Sequence, residues 1–370
     1  MSIQSLVLSL LLPGLGHLAN GYLVRGILFL LLDALQAGTL VLAVTRGRLA
    51  WLAGPSDYWF STLVLLLLFA ALWAGAALDL RRILHRALWP ERGEGYWEIV
   101  GRRFSRDPKG IVGLFIIVSV AYVALLAPFL ASGNAIHMEL KEALSPPSTE
   151  HPLGMDNFGR DVLDRILFGA RVALGVGALS TVLNMLFGGL LGIVSGYFRG
   201  PVDAVIMRLL EVVNAIPFFV LSLLVIGLWG SSIPNLIIVL GIFGLGPARI
   251  IRSEVLSVRE HDYVMAARAI GAPTRRILAR HILPNSIASL LVVTTMTIGV
   301  NIIIVAGLSF LGFGVKAPTP DWGGMLQQAQ EFMRTAWWMA VYPGVCIILT
   351  VFGFNILGDS LRDVLDPRLK

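Results

Sequence analysis

Long apolar runs alternate with short polar segments along the chain, and each apolar run has the length of a membrane span. About 20 helical residues cross a hydrocarbon core of about 30 Å, and backbone groups within lipid must be hydrogen-bonded inside a helix. The pattern therefore predicts an all-α polytopic membrane protein with eight spans. The predicted spans are 26–45, 58–78, 111–131, 172–197, 205–228, 234–251, 287–311 and 337–357.

A polar segment at 81–109 interrupts this pattern after the second span and contains Pro90, Gly93 and Gly95. Such a break is typical of a domain boundary. We expect residues 1–94 to form an N-terminal two-span extension, a two-helix hairpin with its linker. Residues 95–370 are then a six-span domain.

The arginines predict the orientation, because cytoplasmic loops of membrane proteins are enriched in Lys and Arg. The segments 81–109 and 252–285 are strongly basic, whereas 132–170 and 312–336 are less basic and contain several acids. We expect the first two segments, and with eight spans both termini, to be cytoplasmic. Arg46 and Arg48 then fall in an outer loop, a mild departure from the rule.

Composition agrees with a membrane location. Hydrophobic residues make up 56% of the chain and charged residues 14%, against about 25% in a soluble domain. The net charge of +6 comes from arginines between apolar runs, so it indicates topology and not nucleic-acid binding. Cys346 is the only cysteine, and His17 and His85 are isolated; no metal site is predicted.

The segment 260–285 contains more helix-forming and helix-ending signals than a simple connection between two spans needs. Residues 263–270 are rich in helix formers, and Gly271 suits a helix end that requires positive φ. Pro273 suits the first turn of a second helix, which we expect Pro284 to interrupt. Small alanines with arginines around them favour a docking element for a cytoplasmic partner, although an ordinary amphipathic loop helix is the alternative.

The same segment carries a recognisable motif. Residues 263–272 read Tyr-Val-x-Ala-Ala-Arg-Ala-x-Gly-Ala, and Arg-His-Ile-Leu-Pro-Asn follows at 280–285. This pattern resembles the EAA loop of bacterial ABC importer permeases, with Met265 where that family's first Glu stands. The resemblance implies a coupling loop at 252–285 that inserts into an ATPase subunit. The ATPase-coupling residues it implies are Tyr263, Ala266, Ala267, Arg268, Gly271, Arg275, Arg276 and Arg280.

Three further stretches, at 151–163, 310–323 and 355–368, are similar to the C-type permease subunit of dipeptide and oligopeptide importers. The likeness covers roughly residues 95 to 370. It implies a six-helix type I importer core in the cytoplasmic membrane of a bacterium or archaeon. The partners it implies are a second permease subunit in a heterodimer, one or two cytoplasmic ATPase subunits, an extracytoplasmic substrate-binding protein and membrane lipid.

The chain itself lacks the chemistry for ATP hydrolysis. None of its four lysines follows a glycine and precedes Ser or Thr, so there is no Walker A phosphate loop. The resemblance implies a non-catalytic translocation subunit without a cofactor of its own, whose partner subunits bind ATP and Mg²⁺.

Several polar residues outside the coupling loop are candidates for function. Asp156, Arg160, Asp161 and Trp322 lie in predicted outer segments, where they either contact the binding protein, brace an outer gate, or form a local network of salt bridges and caps. Asn184 and Asn301 lie within spans and either line a pathway or hydrogen-bond a neighbouring helix.

One predicted span, 205–228, combines a charged pair with a proline. Arg208 and Glu211 are three residues apart on one helical face and predict an ion pair. Pro217 predicts a kink in the same helix.

The leading hypothesis is a peptide permease. Within the same family, the alternative substrates are nickel complexes or another small solute. An ion-driven secondary transporter would require several intramembrane acids or discontinuous helices. An intramembrane enzyme would require a metal-ligand or paired-aspartate constellation, and the spans contain neither.

Overall fold

The computed structural model describes residues 12–19, 22–45, 67, 70, 72–76, 78–79, 96–131 and 135–365, and the chain there is predominantly α-helical. The helices, in chain order, are α1 (Leu15–Ala19), α2 (Leu23–Thr45), α3 (Tyr96–Phe104), α4 (Pro108–Leu130), α5 (Val162–Phe198), α6 (Gly200–Asn214), α7 (Phe218–Trp229), α8 (Ile233–Phe243), α9 (Gly246–Arg259), α10 (Asp262–Ala269), α11 (Thr274–Ile277), α12 (Leu283–Phe310), α13 (Trp322–Ala329) and α14 (Trp338–Leu365).

Short polar side chains fix where several of these helices begin. The carboxylates of Asp107, Asp161 and Asp321 accept hydrogen bonds from backbone N–H groups in the first turns of α4, α5 and α13. Ser232 caps α8 in the same way. These caps satisfy donors that a helix N-terminus leaves free, so they place the helix starts independently of hydropathy.

Among the described residues, five helical stretches are long and apolar enough to cross a membrane, and the bent pair α6 with α7 makes a sixth when it is counted as one span. The prediction of an all-α polytopic membrane protein with a six-span core is therefore confirmed. Helix α5 begins at Val162 and contains 37 residues, so it starts well before the predicted span 172–197.

Two of the predicted spans are interrupted. The predicted span 205–228 is two helices bent by 76°, and Pro217 stands at the start of α7 and not inside a kinked helix. The predicted span 234–251 breaks between α8 and α9 at Gly244 and Leu245. A single continuous helix was the wrong expectation for the first of them, because hydropathy does not record the direction of a helix. The second interruption is short, and Ile233–Arg259 still forms one stretch that is long and apolar enough to cross a membrane.

The long helix α5 lies at the centre of the core and packs against α4, α8, α9 and α12. On its inner side an apolar cluster joins Val176 to Ile226, Leu236 and Val305. Asn301 on α12 donates to the hydroxyls of Ser180 and Thr181 on α5, at 3.0 Å in each case.

The amide of Asn184 on α5 donates to the carbonyl oxygens of Leu240 and Gly244. The sequence leaves two roles open for Asn184 and Asn301, lining a pathway or hydrogen-bonding a neighbouring helix. Both side chains form hydrogen bonds to a neighbouring segment. Hydrogen bonds of this kind join helices where an apolar environment provides little other specificity.

The N-terminal helix α2 lies along α4 of the core. Thr39 Oγ1 lies 2.8 Å from the Tyr122 hydroxyl, and Arg25 Nη2 donates to Ser105 Oγ at 2.9 Å. Arg25 also pairs with Asp79 at 3.1 Å. The predicted span 26–45 lies within α2, whereas most of the predicted span 58–78 lies outside the described residues.

Candidate functional site

The coupling loop is a compact helical element at one end of the bundle. Its first residues belong to α9, which continues to Arg259, and α10 follows after a turn. Gly271 has φ +77°, which confirms the helix end that needs the left-handed region. Pro273 precedes α11 at its N-cap, one position before the expected first turn.

Pro284 does not interrupt the second helix, and that expectation is wrong. A π-helical turn, Leu278–Ile282, joins α11 to α12, and Pro284 occupies the first turn of α12. The π-turn changes the hydrogen-bonding register just before the proline, which has no N–H to donate. The chain therefore stays helical from Thr274 to Phe310.

One face of α10 packs on the chain itself. Val264 is fully buried and Ala267 is 7% exposed, in a cluster with Val255 of α9 and with Ile277 and Ile282. This cluster fixes α10 to the end of the transmembrane helices. Ala267, one of the predicted coupling residues, therefore lies against the chain and not on the free surface.

The opposite face of α10 is open. Tyr263, Met265 and Ala266 are exposed there, and Ile270 is 84% exposed. The remaining predicted coupling residues Gly271, Arg275, Arg276 and Arg280 are also exposed, while Arg268 is half-buried. An apolar patch with basic residues around it is the form of a protein-binding surface.

Half-buried charges hold the base of the coupling loop. Asp203 at the start of α6 accepts two hydrogen bonds from Arg252 of α9, at 2.6 and 2.5 Å. Ser195 of α5 donates to the same carboxylate. Because a bidentate pair fixes orientation as well as distance, three helices are held together where they leave the membrane-spanning region.

At the other end of the bundle, the predicted outer residues form a buried network. Arg160 is 1% exposed; its Nε donates to Asp156 at 2.6 Å, and its Nη2 donates to Gln328 at 2.7 Å. Arg165 also approaches Asp156, at 3.5 Å. The charges thus tie the segment 135–161 to α13 from within.

Asp161 and Trp322 complete this end. Asp161 accepts from the Asp164 backbone N–H at 3.1 Å and lies 2.9 Å from His151 Nδ1. Trp322 is buried and donates to the carbonyl oxygen of Ile166 at 3.0 Å. The sequence analysis did not single out Gln328 or His151. Gln328 pairs with Arg160, 168 residues away, and His151 lies in an irregular loop before Asp161.

The predicted pair of Arg208 and Glu211 is present, with 3.0 Å between Nη1 and Oε2. Both side chains are more than half exposed. Leu209 and Val212, their neighbours on α6, are exposed as well. Among the described residues, no cluster of three or more His, Cys, Asp or Glu has the geometry to hold a metal ion.

Two family profiles match this chain. Residues 188–370 match the family described as the binding-protein-dependent transport system inner membrane component. Residues 95–147 match the N-terminal transmembrane domain of oligopeptide transport permease C.

Characterised relatives agree with the profiles. A dipeptide transport system permease protein of Alkalihalophilus pseudofirmus is 39% identical over 275 residues, which are 74% of this chain and 90% of the relative. The chain belongs to the ABC importer permease family. A glutathione transport system permease protein of Pectobacterium atrosepticum is 40% identical, over 74% of this chain and 92% of its own length. A second glutathione permease, from Escherichia coli, is 38% identical over 76% and 93%.

A solved structure of an inward-facing methionine ABC transporter also matches this permease. The two share 17% sequence identity and a TM-score of 0.45, over 55% of this chain and 96% of the other.

Membership in this family makes the chain a non-catalytic, multi-pass membrane permease. Such permeases work with ATPase and substrate-binding partners, and the ion-driven alternative is not favoured. The profiles begin at residue 95, so the N-terminal helices α1 and α2 lie outside the matched segments.

Proposed function

We propose that this permease forms half of the translocation pathway of an ATP-driven importer for dipeptides or short oligopeptides. The observation that carries the proposal is the two-sided construction of α10, whose inner face is buried while Ile270 and Ala266 remain exposed. A rigid helix with an uncovered apolar face suits insertion into a groove on a partner. The dipeptide and glutathione permeases among its relatives support peptides as the substrate class.

The remaining half of the pathway comes from a second permease subunit in a heterodimer. One or two cytoplasmic ATPase subunits bind ATP and Mg²⁺ and receive the coupling loop, and an extracytoplasmic binding protein delivers the peptide. The exposed apolar side chains of α6 and α7, which include Leu209, Val212 and Leu228, support a partner surface or pathway on that face. Residues 95–370 form the permease domain, and residues 1–94 are an extension to it.

The ATPase contacts the free face of the coupling loop, which carries Tyr263, Ala266, Gly271, Arg275, Arg276 and Arg280. Ala267 and Arg268 act from the buried side by holding α10 in place. At the outer end Asp156, Arg160, Asp161 and Trp322 brace the structure around the gate, since their side chains are buried. Basic residues near the coupling loop support a cytoplasmic location for the loop and, with eight spans, for both termini.

The test is co-purification of ATPase subunits with the tagged chain from its native membrane in mild detergent. Ile270→Glu puts a charge into the proposed contact without touching the chain's own packing, so we expect at least a tenfold loss of ATPase, equivalent to about 1.4 kcal/mol. Leu140→Glu is the matched control, because Leu140 is 71% exposed at the other end of the bundle. Equal ATPase recovery with Ile270→Glu and wild type would remove the coupling role of α10.

A further inference from the structure

Tyr197 occupies a position between the long helix α5 and the coupling loop that the family motif does not include. It lies in the last turn of α5 and is 8% exposed. Its ring faces two guanidinium groups. The Cζ atom of Arg259 lies 5.8 Å from the ring centroid, and the Cζ atom of Arg268 lies 5.2 Å from it. Arg259 ends α9 and Arg268 belongs to α10, so one ring joins three helices.

The backbone of the same residue makes a second connection. Arg259 Nη1 donates to the carbonyl oxygen of Tyr197. The last carbonyls of a helix have no partner within it, and a cation near that end is favourable. Arg259 therefore caps α5 while its guanidinium lies over the ring.

The ring lies close to both of these guanidinium groups, parts of which lack a hydrogen bond. Within the described part of the chain, Arg259 Nε and Arg268 Nη2 are buried and have no hydrogen-bond acceptor. The carboxylate of Glu260 pairs with Arg199 at 2.5 Å and acts on Arg259 through its charge. The electron-rich face of a tyrosine attracts a desolvated guanidinium, so the ring compensates for two like charges that lie near each other.

The chain turns sharply directly after Tyr197. Arg199 has φ +57° and Gly200 has φ +55°, and for a non-glycine residue this is a disfavoured conformation. The side chain of Arg199 reaches Glu260, between α9 and α10. The turn from α5 to α6 and the start of the coupling helix are thus linked beside the Tyr197 contact.

We propose that Tyr197 is a positioning residue that fixes the coupling helix to the end of α5. A displacement of α10 by an ATPase then moves α5 as well, and α5 extends to the network of Asp161 and Arg165 at the other end. Without the ring, α10 still presents its exposed face to the ATPase, but its displacement is no longer passed to α5. This inference rests on the proposed function, since it assigns the transmission step to a contact within the same site.

The test uses the complex that co-purifies with the tagged chain, reconstituted in liposomes with the binding protein and a dipeptide. Three variants are compared: Tyr197→Leu removes the ring, Tyr197→Phe retains it, and Phe198→Leu removes the adjacent, exposed ring. The readouts are the amount of bound ATPase and the number of ATP molecules hydrolysed per peptide imported.

We expect Tyr197→Leu to retain ATPase within about twofold while the ATP consumed per peptide rises about tenfold, because ATP is then hydrolysed without a movement of α5. Tyr197→Phe and Phe198→Leu should stay within about twofold of wild type. An unchanged ratio in Tyr197→Leu would overturn the inference. Absence of ATPase from the wild-type complex would instead overturn the proposed function.

A second measurement covers the case in which Tyr197→Leu loses its ATPase. Spin labels at Ile270→Cys and Leu190→Cys, with Cys346→Ala, report the distance between α10 and α5 in the purified chain. A broader distance distribution in Tyr197→Leu than in Tyr197→Phe supports the positioning role. Identical distributions refute it, because α10 is then held without the ring.

Discussion

At the scale of single residues, burial decides what the charged side chains do. Arg160 and Arg208 each pair with an acid on their own segment, Asp156 and Glu211. Arg160 is enclosed, whereas the Arg208 side chain is 80% exposed. The sequence predicts the Arg208–Glu211 pair from its spacing, whereas for Arg160 a local salt-bridge network is one of three open roles. The enclosure of Arg160 depends on Gln328, 168 residues away, so neither its partner nor its burial follows from local spacing.

This difference gives a direct comparison of two identical substitutions. Arg160→Met leaves the buried Asp156 with only the longer contact to Arg165 at 3.5 Å, and we expect a loss of about 3 kcal/mol in unfolding free energy. Arg208→Met removes an exposed pair and should cost under about 1 kcal/mol. Denaturant unfolding of the purified chain in detergent measures both, and equal stabilities for the two variants would contradict the buried network.

His151 adds a dependence on pH at the same end. Its hydrogen bond with Asp161 raises the pKa of the imidazole, burial partly opposes this, and the charges of Asp161 and Glu142 add to the rise. Because the folded pKa is above the unfolded value of about 6.5, the stabilisation is fully present below that pH. It is lost as the pH rises through the folded pKa.

We therefore expect the thermal unfolding temperature of the wild type to fall as the pH rises from about 6 to about 8. The variant His151→Gln should lack this component of the fall, since it cannot gain a proton. Melting curves of both proteins across this range in one detergent test the effect. Parallel curves for the two proteins would show that His151 does not contribute.

At the scale of elements, hydropathy predicts where helices run but not where they turn. The predicted span 205–228 has the length of a single membrane span, yet α6 and α7 meet at a 76° bend within it. Pro217 is a local signal for a break, but the size of the bend depends on packing against other helices. The cap at Gly271 follows from the residue itself, whereas the π-turn before Pro284 has no comparable signal in the sequence.

For the coupling helix α10 as well, the sequence predicts the element but not its packing. The motif predicts the helix and its docking role, but the face that α10 turns inward depends on Val255, Ile277 and Ile282. Those residues come from elements on either side of it, so the burial of Ala267 cannot be read from residues 263–272 alone.

Neighbouring alanines on α10 provide a test of this orientation. In a Cys346→Ala background, Ala266→Cys should react rapidly with a water-soluble maleimide. Ala267→Cys should react at least about tenfold more slowly, because a buried thiol is inaccessible to the reagent. Labelling is followed by mass spectrometry of the native protein, and denatured protein serves as the control in which both sites react. Equal rates in the native chain would contradict the packing of α10.

At the scale of the whole molecule, two ends of one bundle have different constructions. One end carries the coupling loop, with its exposed apolar face and basic residues. The other is closed by buried contacts of Arg160, Asp161 and Trp322. The central helix α5 reaches both ends, which suits a subunit that transmits movement across a membrane and performs no catalysis itself.

The N-terminal segment before residue 95 is the part of the molecule that sequence patterns predict least. Its helix α2 lies against α4 through the Thr39–Tyr122 contact, and Arg25 joins Asp79 to Ser105 near the start of α4. These contacts join distant segments, so neither hydropathy nor the family resemblance could predict them. They make α2 a part of the core's surface.

The central claim is that this permease imports peptides with energy from ATP. The most direct measurement is uptake of a labelled dipeptide into liposomes that contain the purified complex, with its binding protein outside and ATP either enclosed or omitted. We predict uptake that requires enclosed ATP and persists when ionophores abolish all ion gradients. Uptake without ATP that ionophores abolish would contradict the account and indicate an ion-driven transporter.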